Sequence, residues 1–138
     1  MKIQILTDIK DSIDGFNPVF LNENGLSANI AENSATEIIM NGTVELVPYE
    51  KLDNILLDLK KLVRKGGKIV MNGVDASCVS RDFVTGIIDI KTYNDVIFSR
   101  MSVHDSKQLG NKLKSLGFVI DKILLRGSIY ELHASRPQ

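Results

Sequence analysis

The chain is short of almost every feature that announces a chemistry. It has one cysteine, Cys78, no tryptophan, three prolines and two histidines in 138 residues. A single cysteine makes no internal disulfide, so the chain fits a reducing compartment, and we expect it in the cytoplasm. Lys+Arg balances Asp+Glu at 17 each, which leaves no basic face for phosphate backbones and excludes nucleic acid as an expected partner. Apolar runs stop at four or five residues, far below a membrane span, and the first residues lack a signal-peptide core, so no membrane is expected. Glycine-rich phosphate loops, His-Glu-x-x-His and Cys-x-x-Cys are absent. The sequence expectation is therefore one ordinary domain, residues 1–138, with 43% apolar residues to build a core.

Periodicity supplies the architecture. Lys2-Ile3-Gln4-Ile5-Leu6 alternates and reads as a strand. Residues 7–15 are polar and acidic and read as a loop, and Pro18-Val19-Phe20-Leu21 as a short strand with proline at its start. Residues 22–34 read as a turn-rich loop, followed by a buried strand at Glu37-Ile38-Ile39-Met40 ending at Asn41-Gly42. Leu52, Ile55, Leu56, Leu59, Leu62 and Val63 then recur at helical spacing, with Pro48 where the helix begins and Gly66 where it ends. Lys68-Ile69-Val70-Met71 is the next strand. Residues 81–100 read as two short helices broken near Gly86. Asp105 or Ser106 caps a further helix stopped by Gly117, and 118–125 and 128–134 form a terminal antiparallel hairpin. The order means an α/β fold.

Few residues stand out as candidates for chemistry. Asp8, Asp11 and Asp14 recur every three residues in the first loop, but a calcium loop packs its oxygen ligands more tightly, so no metal is expected. Glu45 follows a strand and precedes a helix, at the edge where open α/β sheets bind ligands. Asn22 and Glu23 follow the second strand, where an acid can pair with a vicinal diol. His104 precedes a helix in a loop placed to overhang a pocket; His133 reads as a sheet-face residue.

Residues 33–70, from Asn33-Ser34-Ala35-Thr36-Glu37-Ile38 through Val44-Glu45-Leu46-Val47-Pro48 to Leu62-Val63-Arg64-Lys65-Gly66-Gly67-Lys68-Ile69, resemble the class I SAM-dependent methyltransferases. The likeness is to small, type 11-like members, in which a strand leads to a Leu-Glu-His element and a helix ending Leu-Lys-Pro-Gly-Gly-Lys-Leu. Residues 86–98 resemble the helical insert of that group, and 109–118 its Leu-Leu-x-x-Ala-Gly-Phe helix. The resemblance implies a Rossmann-like, mostly parallel sheet with an antiparallel C-terminal hairpin. It also implies S-adenosyl-L-methionine (SAM) as cofactor, lying across Leu6, Thr7 and Asp8, Asn22 and Glu23, and Asn41 and Gly42.

Glu45 and His104 are the implied residues for orienting or deprotonating an acceptor, a small molecule of unknown or saccharide type. The departures are equally plain. Leu6 and Asp8 stand where the family has its glycines, the histidine of Leu-Glu-His is Leu46, and the helix after the first strand is shortened to a loop. A second expectation follows, a methyltransferase-like domain that no longer binds SAM and serves as a binding or regulatory subunit. A sheet face left bare by the shortened helix would be apolar and would find a partner, so a homo-oligomer is expected.

Overall fold

The computed structural model describes residues 1–22, 25–27 and 30–138. Its single sheet has seven strands: β1 (Lys2–Leu6), β2 (Asn17–Asn22), β3 (Gly25–Ser27), β4 (Ala35–Asn41), β5 (Val63–Val74), β6 (Val119–Arg126) and β7 (Ile129–Ser135). The spatial order is β3-β2-β1-β4-β5-β7-β6. β1, β2, β4 and β5 run parallel, while β3 folds back on β2, β7 lies antiparallel to β5, and β6 antiparallel to β7. The sheet is therefore less uniformly parallel than expected, with antiparallel pairing at both edges. The C-terminal hairpin is where the sequence put it, and its second strand is the inner one.

Four α-helices follow β4 and β5: α1 (Leu52–Leu62), α2 (Ala76–Val84), α3 (Ile90–Phe98) and α4 (Ser106–Ser115). Strand alternation sends Ile3, Ile5, Ile38, Met40, Ile69, Met71, Leu132 and Ala134 into one core. The apolar stripes of α1 (Ile55, Leu56, Leu59) and α4 (Leu109, Leu113) close over it. The opposite face of the strands carries Lys2, Glu37 and Lys68, with both lysines within 4 Å of Glu37 at 3.8 and 3.9 Å. Lys122 and His133 pair on that same face, as do Asn72 and Glu131. That face also carries half-buried Ile39, Val70 and Leu124 between the charged and amide side chains. Between β1 and β2 the chain forms a three-residue 3-10 turn at Ile9–Asp11, capped by Asp8, and no α-helix. Gln4, only 3% exposed, pins this connection: its amide donates to Asp11 O (2.9 Å) and its carbonyl accepts from Ile13 N (2.8 Å).

The end of α1 corrects the sequence reading. The helix stops at Leu62, four residues before Gly66, and Val63 already pairs with Ala35 as a strand residue. Buried, β-branched Val63 gains more from the sheet than from another helical turn. The carbonyls left open at the helix end find a remote donor. Arg136 Nη1 donates to Lys60 O (3.0 Å), Val63 O (2.8 Å) and Asn33 Oδ1 (2.6 Å), and Asn33 N donates to Lys61 O (2.8 Å). Gly66, at φ +78°, is a turn within β5, and its N–H reaches Arg136 O at 2.7 Å.

Replacing Arg136 with alanine strands these carbonyls and is expected to cost about 1–2 kcal/mol, read as a lower urea midpoint at unchanged slope. An unchanged midpoint would show that water replaces the guanidinium without loss.

Candidate functional site

Two adjoining cavities open at the C-terminal edge of the parallel strands, where open α/β sheets bind ligands. The first, about 390 Å³, is lined by Thr7, Leu21, Asn22, Leu46, Val47, Pro48, Lys51, Ile55 and Met101, with Gly25 at its side. The second, about 430 Å³, is lined by Gln4, Ile5, Leu6, Thr7, Asp11, Asn41, Thr43 and Leu46. Thr7 and Leu46 belong to both walls. The first is mostly apolar; the second gathers two hydroxyls, two amides and a carboxylate, with no lysine or arginine. The hydroxyl of Thr43, 6% exposed, has no hydrogen-bond partner among the described residues.

The sequence-predicted residues divide between these spaces. Thr7 and Asn22 line the first cavity, and Leu6, Thr7 and Asn41 the second. Leu6 is buried on the side of the second cavity, so its side chain leaves the first one open. Asp8 turns away from both and caps the 3-10 turn, accepting from Lys10 N at 3.0 Å. Gly42, at φ +67°, closes the end of β4 with its N–H on Asn72 O at 3.0 Å, and Asn72 donates to Asn41 Oδ1 at 2.8 Å. Glu23 lies outside the described residues. No non-glycine residue from Leu6 to Asp8 takes a positive φ, so this path does not demand glycine.

Glu45 and His104 are brought together, but behind the cavities and not on their walls. Glu45 is 5% exposed, and both carboxylate oxygens are taken: Oε1 accepts from Val74 N, and Oε2 from Arg100 Nε at 2.6 Å. Its own carbonyl accepts from Met101 N (2.9 Å) and Ser102 N (3.1 Å). The residue fastens segment 100–102 to the end of β5. Each oxygen thus accepts one hydrogen bond, and the carboxylate clasps these segments from behind the cavity walls.

His104, 4% exposed, has Nε2 2.8 Å from Ser102 Oγ, which in turn lies 2.7 Å from Val47 O. With the hydroxyl donating to Val47, Nε2 carries the proton. Burial pushes the imidazole below its ordinary range, against the pull of the Val44 carbonyl and the Glu45 charge. Its ring stacks on Tyr49 at 6.0 Å and faces a gap of about 50 Å³ between α1 and α4. It too supports the wall.

Several contributors escaped the sequence reading. Asp75 accepts from Cys78 N at 3.0 Å, capping α2, and from Ser106 N at 2.8 Å, at the start of α4. An aspartate between a strand and Ala76-Ser77-Cys78 was the available signal. Burial alone would raise the Asp75 carboxyl; the Ser106 and Cys78 amides outweigh it and hold it below the ordinary carboxylate value. Gly73, a glycine within a strand, marks a close approach. A Cβ there would come 2.5 Å from Glu45 Oε1 and 3.3 Å from the Tyr130 ring. The Tyr130 hydroxyl is buried without a partner among the described residues, and burial beside the Glu45 and Asp75 charges pushes its pKa up. Among the described residues no cluster of metal-ligating side chains occurs, and no helix is long and apolar enough to cross a membrane.

With this geometry in place, the comparisons with known proteins bear on the fold. No family model and no curated protein matches the chain. Solved structures do. A SAM-dependent methyltransferase from Methanosarcina mazei aligns with TM-score 0.64 at 12% identity, over 88% of this chain and 68% of its own. One from Thermotoga maritima, described as a possible histamine N-methyltransferase, aligns with TM-score 0.61 at 14% identity, over 88% and 65%. One from Aquifex aeolicus aligns with TM-score 0.54 at 14% identity, over 78% of this chain and 48% of its own, so this chain spans about half its length. The fold is that of the SAM-dependent methyltransferases.

Asp75→Asn is expected to cost about 1–2 kcal/mol at neutral pH, because it weakens the links to α2 and α4. The folded pKa lies below the unfolded 3.8. The wild-type contribution is therefore complete above that value and is lost as pH falls through the folded one. Acid titration of stability below pH ~4 should fall less steeply in the variant; equal slopes would remove Asp75 from the account.

Proposed function

We propose that the chain is a SAM-dependent methyltransferase acting on a small, uncharged or cationic, hydroxyl-bearing acceptor, saccharides included. The observation that carries this reading is the pair of contiguous cavities meeting at Thr7 and Leu46, on a methyltransferase fold. The apolar cavity fits the cofactor. Its volume lies within the range of about 300–1,000 Å³ typical of small-molecule sites, and its Leu46, Val47, Pro48 and Ile55 walls suit a flat purine-like ring. Thr7 and Asn22 would hold the polar part of the cofactor, and Leu6 does not obstruct it. When bound, SAM supplies an electrophilic methyl group, and transfer then depends chiefly on positioning.

The second cavity would receive the acceptor. It lacks cationic residues, which disfavours phosphates and carboxylates, while Thr7, Asn41, Thr43 and Asp11 offer hydrogen bonds to hydroxyl or amine groups. Glu45 and His104 act in this reading as positioning residues. Glu45 holds Met101, a wall residue of the first cavity, through its backbone, and His104 braces Ser102 beside it.

One observation favours the second reading, a methyltransferase-like subunit without SAM. The β1–β2 connection contains only the Ile9–Asp11 turn, so no α-helix N-terminus there offers amides to an anionic group. Calorimetric titration with SAM and S-adenosylhomocysteine separates the two. The methyltransferase reading expects saturable binding with a Kd in the micromolar range, weakened by Asn22→Ala. Absence of binding up to millimolar ligand would sink it in favour of the subunit reading.

A further inference from the structure

The connection between β1 and β2 carries three aspartates, Asp8, Asp11 and Asp14, against a single lysine. Lys10 is already paired: its Nζ lies 3.5 Å from Asp8 Oδ2, and its N–H donates to Asp8 Oδ1 at 3.0 Å. Asp11 differs from both other acids in lining a cavity. Its main-chain carbonyl accepts from Gln4 Nε2 at 2.9 Å, which fixes the residue in the wall of the second cavity. Its carboxylate has no hydrogen bond or ion pair among the described residues. No lysine or arginine lines that cavity to balance it. Across the same space Asn41 Oδ1 accepts from Asn72, which leaves the Asn41 amide N–H groups to donate. Thr43, on the same wall, has a buried hydroxyl without a partner among the described residues, a group that an occupant can satisfy.

We propose that Asp11 selects the acceptor by charge, so that the second cavity takes a hydroxyl-bearing compound with an ammonium group, an amino sugar or amino alcohol. The inference rests on the assignment of this cavity to the acceptor. A carboxylate in a concave wall attracts a ligand cation more strongly than one on an open surface, because the surrounding protein concentrates its field. A neutral isostere forgoes that attraction and an anionic one is repelled, so one unpaired acid separates the three. A divalent metal ion suits the site poorly. It needs about six oxygen ligands, and no cluster of metal-ligating side chains occurs among the described residues. The hydroxyl of Thr7 and the amide of Asn41 are left for the hydroxyl groups of the same ligand. Asp11 binds and orients in this scheme and takes no proton. The amino-acid end of SAM also carries an ammonium group, and the experiment distinguishes the two sources.

Titration of the full chain with D-glucosamine, D-glucose and D-glucuronate, followed by amide NMR shifts at Thr7, Asp11 and Asn41, tests this without cofactor. The three rings are similar in shape and differ in charge. Glucosamine should bind about fivefold more tightly than glucose, and glucuronate more weakly than either. Asp11→Asn keeps the carbonyl that Gln4 uses and should bring glucosamine and glucose level. Asp11→Lys should place glucuronate first, a reversal that a merely structural role would not produce. Undetectable glucosamine binding at millimolar concentration overturns the inference, as does equal affinity for glucose or a preference that survives Asp11→Asn. So does loss of glucosamine binding under saturating S-adenosylhomocysteine, which would give the ammonium site to the cofactor. The methyltransferase reading fails on a different result, absent SAM binding. A charge preference that still depended on Asp11 would then mark a ligand site of the subunit reading.

Discussion

The carboxylate of Glu45 is the fixed point around which the ligand edge is assembled. Burying a charge costs several kcal/mol unless it is paired and hydrogen-bonded, and here one acid meets that cost with an arginine and a backbone amide. Oε2 takes Arg100 and Oε1 takes Val74 N, while the carbonyl of the same residue takes the amides of Met101 and Ser102. Three stretches distant in sequence, the end of β4, the end of β5 and the segment after α3, converge on one residue. Gly73 is glycine because the Glu45 carboxylate and the Tyr130 ring already fill the space of a side chain. His104, Ser102 and Asp75 extend the same polar seam into the starts of α2 and α4.

This seam explains why the cavities lie where they do. The face of the sheet under α1 and α4 is sealed by aliphatic packing, and the opposite face is solvated by Lys2, Glu37, Lys68 and their neighbours. At the strand ends the backbone turns away in loops, and the clasp holds the 100–102 segment against them. A wall is thereby completed on which Met101 and Leu46 meet Thr7. The apolar and polar cavities on either side have the complementary characters that a nucleoside-like cofactor and a hydroxyl-bearing acceptor would each require.

Much of this fold was legible from local pattern. The period-2 run of β1, the helical spacing of Leu52 to Leu62, Gly86 between α2 and α3, and Asp105 as the cap of α4 are all decided within a few residues of themselves. The end of α1 was not, because Arg136 and the pairing of Val63 with Ala35 are contacts made from far along the chain. The same holds at the site. Thr7, Asn22 and Asn41 could be placed at strand ends by counting, and they do line cavities. Glu45 and His104 occupied promising positions in the sequence, yet whether an acid is free or engaged depends on Arg100, 55 residues away. Sequence spacing reports neighbourhood, while the engagement of a lone pair is a tertiary property.

The account rests on Glu45 as the fastener of that edge, and amide hydrogen exchange reads it directly. In Glu45→Gln the amides of Val74, Met101 and Ser102 should exchange about tenfold faster or more, equivalent to a local loss of roughly 1.4 kcal/mol. The amides of Ile38 and Ile69, at the centre of the sheet, should keep their protection. Unchanged exchange at Val74 and Met101, or equal acceleration throughout the sheet, would contradict a local clasp.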